Sequence, residues 1–205
     1  PLTPLSFLER ASDVFPDHIA IIHGNIKTTY REFYTRSKLL ASSLAQLGMT
    51  RGSTVSTLLL NTPPMLEAHY GIPMCGAVIH AINTRLDPAT IAFQLDHANS
   101  EILFYDRELE GVVKEVLSHC QVKPHLIEFV DSEYEYKDAP VDLGADDYEV
   151  FLNKGDSNYQ WLMPENEWEA ISVGYTSGTT GDPKGVVSHH RGAYLLAQGN
   201  AMVAS

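Results

Sequence analysis

Thr176, Ser177, Thr179, Thr180 and Lys184 stand among Gly178, Gly181, Pro183 and Gly185 in one short run. Small residues let backbone N–H groups come close to an anion, hydroxyls add donors, and an ammonium adds a point charge. Those are the parts of a cradle for a densely charged polyphosphate. The run is not a Walker A loop, because Lys184 is followed by Gly185 and no Ser or Thr stands there for Mg²⁺. A Gly/Ser/Thr loop with no ligand is the plainer alternative, but such a loop needs no Lys at a set offset.

From Val173 and Gly174 through Gly185 the chain resembles the phosphate-binding loop of the AMP-forming acyl-activating enzymes: a hydrophobic residue, then Thr-Ser-Gly-Thr-Thr-Gly-x-Pro-Lys-Gly. Every fixed position of that pattern is matched. The likeness extends, at lower specificity, to Thr28–Phe33, to Gly76-Ala77-Val78 with Asn83-Thr84-Arg85-Leu86, and to the acidic lead-in Glu167-Trp168-Glu169-Ala170-Ile171. It is strongest toward CoA ligases for small to medium aliphatic, aromatic or thioether acids, from a bacterial or a plant source.

The resemblance implies an ATP-dependent acyl-CoA ligase of acyl and fatty-acid metabolism. Carboxylic acid, ATP and CoA would become acyl-CoA, AMP and pyrophosphate. Neither half of that reaction needs a protein nucleophile; the protein orients the carboxylate and neutralises phosphate charge. Thr176, Ser177, Gly178, Thr179, Thr180, Gly181 and Lys184 are thereby assigned to the nucleotide's β- and γ-phosphates. The Thr176 hydroxyl is either a Mg²⁺ ligand or a plain phosphate donor. His190-Arg191 resembles a His-Arg pair of the family. For His190 that suggests a place at a helix start or beside the acyl pocket, with a structural polar role as the alternative. Arg85 reads as an ion-pair partner or a substrate contact, and Tyr175 as packing. The family's adenine and ribose contacts, hinge and late Lys have no match here, so no catalytic residue is assigned and this stretch alone is expected to be inactive. An adenylation domain that loads a carrier protein, or a non-catalytic nucleotide-binding module, remains open.

Composition sets the outer bounds. The 205 residues are 44% hydrophobic and 20% charged, a globular balance, and the net charge of −12 disfavours nucleic acid and anionic membranes as partners. No apolar run reaches the length of a membrane span. Cys75 and Cys120 are too few for a disulfide framework, which fits a reducing compartment, cytoplasmic, or peroxisomal if the source is a plant. A homodimer is compatible with the sequence. The start at Pro1 and the apolar stretch Tyr194–Ser205 suggest part of a longer protein.

Strand and helix patterns alternate along the chain. Thr3-Pro4 opens a helix through about Val14, and Ile19–His23 with Gly24-Asn25 reads as a strand and hairpin turn. Thr29 and Glu32 form a capping box before a helix with Phe33, Leu40, Leu44 and Leu47 on one face and Gly48 at its end. Strands follow at 54–60, 78–82, 101–105, 126–130 and 169–175. Helices are expected at 63–74, from Asp87-Pro88, at 108–119, at 148–153 and from Ser188 onward. This is an α/β fold: a mostly parallel sheet flanked by helices. Residues 1–165 read as a first subdomain, with 131–147 as an exposed acidic loop whose spacing fits no EF-hand. Residues 166–205 read as the start of a second subdomain carrying the phosphate loop 175–185. Together they look like the incomplete large N-terminal domain of an adenylate-forming enzyme.

Overall fold

The local signals set most of the element ends. In the computed structural model, which describes residues 1–176 and 183–204, the chain opens with α1 (Leu5–Val14) and a separate antiparallel hairpin, β1 (Ile19–His23) and β2 (Ile26–Thr29). Gly24 turns the hairpin at φ 56°. α2 (Tyr30–Gln46) starts on the full capping box: Thr29 Oγ1 accepts from the Glu32 N–H, and the Glu32 carboxylate accepts from the Thr29 N–H. The latter bond is the main reason the Glu32 carboxyl lies below its ordinary value. Gly48, at φ 99°, ends that helix. Leu47, expected on the buried stripe, is instead 41% exposed, because it is already the cap.

β3 (Thr54–Leu58), α3 (Pro63–Met74), β4 (Val78–Ala81), α4 (Pro88–His97) and β5 (Ser100–Asp106) follow. Asp87 caps α4 by accepting from the Thr90 N–H at 3.0 Å. A single 3₁₀ turn leads into α5 (Glu110–His119), then come β6 (His125–Phe129), β7 (Asp146–Asp147), α6 (Tyr148–Leu152), β8 (Ala170–Thr176), β9 (Lys184–His189) and α7 (His190–Ala204).

Seven strands form one sheet in the order β7-β6-β5-β3-β4-β8-β9, parallel throughout except for β9, which runs antiparallel to β8. Successive side chains of a strand point to opposite faces. Ile102 and Phe104 accordingly join Val55, Ile79 and Ile127 under α2, α3 and α6. Leu103 and Tyr105 join Leu58 and Leu126 under α4 and α5. With both faces covered, the central strands are apolar almost without interruption. The 166–205 stretch, expected to begin a second subdomain, contributes β8 and β9 to this same sheet.

Two further expectations change. Helix from Ser188 is replaced by strand as far as His189, because residues 184–189 pair with β8 from Thr176↔Lys184 to Ala170↔His189. The acidic segment is not uniformly exposed. Asp131 is buried against His23 at 2.8 Å, Asp146-Asp147 forms β7, and Asp147 caps α6 by accepting from the Val150 N–H.

One polar group lies deep in the helical layer. Glu67 is 1% exposed and accepts from Arg36 Nε and from the Tyr148 hydroxyl, both at 2.6 Å, while Arg36 also binds Glu149. Pairing is what allows a charge at such depth.

Candidate functional site

The β8–β9 hairpin builds the site. Thr176 is the last residue of β8, Lys184 the first of β9, and they face each other on the final rung. The hairpin thus brings the hydroxyl-bearing and the ammonium-bearing residue to the two sides of the segment that joins them. Ser177, Gly178, Thr179, Thr180 and Gly181, the other residues assigned to phosphate, lie outside the described residues. The rung sits at the carboxyl end of a parallel strand, where open α/β sheets bind ligands.

Beside it, a cavity of about 390 Å³ runs between α3 and the hairpin, with Thr176, Ser172, Gly174, Ser188, Ile79 and His69 on its walls. Burial holds the His69 imidazole below its ordinary value, which favours the neutral form. A larger cavity of about 640 Å³ lies away from this rung, bounded by the β1–β2 hairpin, α2 and the start of α3. Several of its ionisable groups are already paired: Arg36 with Glu67 and Glu149, and His23 with Asp131. Of the described residues that the sequence suggested for phosphate, Thr176 lines the smaller cavity.

The side chains around the rung differ from expectation in instructive ways. Tyr175 is more than packing: its hydroxyl lies 2.7 Å from His97 Nδ1 at the end of α4, and its ring centroid is 5.0 Å from that of His80. His80 is fully buried, with Nδ1 2.8 Å from Ser56 Oγ and Nε2 unpartnered among the described residues. Burial pushes its imidazole down to about 4, with the Gln94 amide opposing in part. Nothing in the sequence marked His80 or His97, which reach Tyr175 only through the fold.

His190 is the first residue of α7 and 4% exposed, with Nδ1 2.9 Å from Thr3 Oγ1. It ties the start of α1 to the start of α7. Arg191 donates to Glu167 at 2.6 Å, and His189 Nδ1 accepts from the Gly192 N–H, capping the helix. Arg85 is exposed in the β4–α4 turn and belongs to none of the ion pairs among the described residues, contrary to the ion-pair reading.

A divalent metal that leans on nucleotide oxygens needs little from the protein. Thr176 fits that demand: it is exposed, and its hydroxyl has no partner among the described residues. No group of three or more His, Cys, Asp or Glu able to hold a metal exists among the described residues.

Residues 8–204 match the protein family described as AMP-binding enzyme. The chain is 44% identical over 211 residues to a peroxisomal acetate/butyrate–CoA ligase of Arabidopsis thaliana, covering 98% of this chain and 37% of the relative. It is 41% identical over 214 residues to an acetate–CoA ligase of Humulus lupulus, covering 98% and 37%. Among solved structures, the anthranilate CoA ligase AuaEII in complex with anthranoyl-AMP superposes with a TM-score of 0.85 at 22% identity, covering 97% of this chain and 37% of that one. A benzoate CoA ligase from Burkholderia xenovorans LB400 gives 0.80 at 22%, covering 97% and 36%. At that identity the structures establish the fold. The chain spans about 37% of the length of the curated relatives it matches.

Proposed function

The chain belongs to the AMP-binding enzyme family, and from that premise we propose that the reading frame encoding it specifies an ATP-dependent, AMP-forming acyl-CoA ligase for short aliphatic or aromatic monocarboxylic acids. The observation that carries this is the Thr176↔Lys184 rung at the carboxyl end of β8, which sets a hydroxyl and an ammonium on either side of the phosphate loop. The names of the relatives, acetate, butyrate, 2-methylpropanoate and benzoate ligases, supply the substrate class.

In the first half-reaction a substrate carboxylate oxygen attacks the α-phosphorus of ATP, giving acyl-AMP and releasing pyrophosphate. Lys184 places its ammonium against the β- and γ-phosphates and offsets the charge that accumulates on the leaving pyrophosphate. The backbone amides and hydroxyls of Ser177, Gly178, Thr179, Thr180 and Gly181 complete that cradle. When bound, Mg²⁺ neutralises further phosphate charge, and Thr176 is the described residue that would hold it. In the second half-reaction the CoA thiol adds to the acyl carbonyl and AMP leaves, so no protein nucleophile enters either step. Free, buried Cys75 and Cys120 fit a reducing compartment, and cytoplasm or peroxisome is part of this reading.

The test is to express the full reading frame and incubate it with ATP, Mg²⁺, CoA and acetate, butyrate, 2-methylpropanoate or benzoate. AMP and acyl-CoA forming together, dependent on both acid and CoA, is the expected result. Formation of ADP, or turnover indifferent to the acid, would overturn the proposal.

A further inference from the structure

The stem of the phosphate loop is poorly held by the sheet itself. β8 pairs with β4 on only two rungs, Ile79↔Ser172 and His80↔Val173, so Gly174, Tyr175 and Thr176 run beyond that partner. Their remaining strand partner is β9, an edge strand whose residues 184–188 are all exposed. Backbone pairing therefore keeps the two arms of the stem together without fixing the stem to the body of the fold.

We propose that Tyr175 and His97 form a clamp that fixes this stem, making Tyr175 a positioning residue for adenylation. Tyr175 occupies the rung next to Thr176↔Lys184, opposite Gly185. Its hydroxyl reaches His97 Nδ1 at 2.7 Å, across 78 residues of sequence. Burial raises the Tyr175 hydroxyl above its ordinary value, so it stays protonated and donates to Nδ1 when the neutral His97 ring carries its proton on Nε2.

The acceptor is itself held. His97 is the last residue of α4, and its ring stacks on Phe93, one turn back, at 5.6 Å and 20°. The Tyr175 ring also rests beside His80, which is linked through Ser56 to Ser100 at the start of β5. The stem is thus anchored to α4, β3, β4 and β5 through one side chain. Tyr175 points to the opposite side of β8 from Thr176, so the clamp leaves the ligand side open.

This rests on the ATP-binding reading above. Reacting groups out of place by about 1 Å can cost about 100-fold. An exposed hydrogen bond that limits such movement is worth a smaller loss, on the order of tenfold in kcat/KM for ATP.

The experiment uses the full reading frame with Tyr175→Phe, His97→Leu, His97→Asn and the Tyr175→Phe/His97→Leu double variant. Acid-dependent adenylation and thioester formation from supplied acyl-AMP are measured separately, with amide exchange at Gly185–Val187 as a readout free of activity. Tyr175→Phe and His97→Leu should each raise the KM for ATP and speed exchange in the stem, leaving thioester formation within about twofold. The double variant should be no worse than either single one, and His97→Asn, whose amide oxygen replaces Nδ1 as acceptor, should recover most of the loss. Parent-like ATP kinetics and exchange in Tyr175→Phe would overturn the clamp. Equal losses in both half-reactions with a lowered melting temperature would also overturn it, in favour of plain packing. A parent protein that folds but never adenylates an acid would instead refute the ATP reading, and the positioning role with it; the exchange data would still report whether the anchor exists.

Discussion

Two buried groups should act in opposite directions on how the stability of this fold varies with pH. His80 is fully buried and its imidazole is pushed down to about 4 from 6.5. Asp106, at the end of β5, is 1% exposed with Oδ2 unpartnered among the described residues. Burial pushes its carboxyl up to about 6 from 3.8, against the Glu108 backbone N–H and aided by the charge of Asp131. For His80 the unfolded chain binds the extra proton between pH 6.5 and about 4, so stability is full above 6.5 and falls on acidification. For Asp106 the folded chain holds the extra proton between 3.8 and about 6, so stability is full below 3.8 and falls as pH rises. At about 1.4 kcal/mol per pH unit, each effect is on the order of 3 kcal/mol, and they oppose one another across about pH 4 to 6. Asp106→Asn removes one side of the balance. The variant should be more stable than the parent at pH 7 by about 3 kcal/mol, with the advantage vanishing near pH 4. His80→Asn should lose ground at pH 7 for want of packing, then gain on the parent as pH falls. Urea unfolding followed by the fluorescence of Trp161 and Trp168, repeated from pH 4 to 7.5, measures both differences. Parallel stability curves for parent and Asp106→Asn would refute the reasoning, since the carboxyl would then titrate alike in both states.

Lys184→Ala should slow adenylation by about 30- to 1000-fold and leave thioester formation from supplied acyl-AMP nearly intact, because only the first step handles pyrophosphate charge; quench-flow of each half-reaction decides this. Glu67→Gln should destabilise the fold by about 3 kcal/mol, since it leaves half-buried Arg36 and buried Tyr148 short of a carboxylate, and urea midpoints measure the loss. Thr29→Ala should cost about 1 kcal/mol through loss of the α2 capping box, read from the same titrations.

What the sequence made legible was local chemistry. Thr29 with Glu32, Asp87 with Pro88, Pro63-Pro64 and the two turn glycines each announce an element end through bonds or backbone angles set within a few residues. The α/β class followed from those elements. β9 escaped notice because Lys184–Ser188 is exposed throughout and has no apolar alternation; it is a strand only because β8 lies beside it. Asp131 looked like one more acid in an acidic run, and only the return of the chain to His23, 108 residues away, buries it. The residues proposed for phosphate were chosen by type and spacing, and Thr176 and Lys184 are the two of them among the described residues. The side chains that hold the site, His80, His97 and the Tyr175 hydroxyl, were not, because their meeting depends on strand order.

The most direct test of ATP activation at the Thr176–Lys184 loop is exchange of labelled pyrophosphate into ATP by the full-length protein, with and without a short carboxylic acid and with CoA omitted. Exchange that requires the acid, proceeds without CoA and collapses in Lys184→Ala is the predicted result. A folded protein that binds ATP yet shows no acid-dependent exchange, or one whose exchange survives Lys184→Ala undiminished, would contradict it.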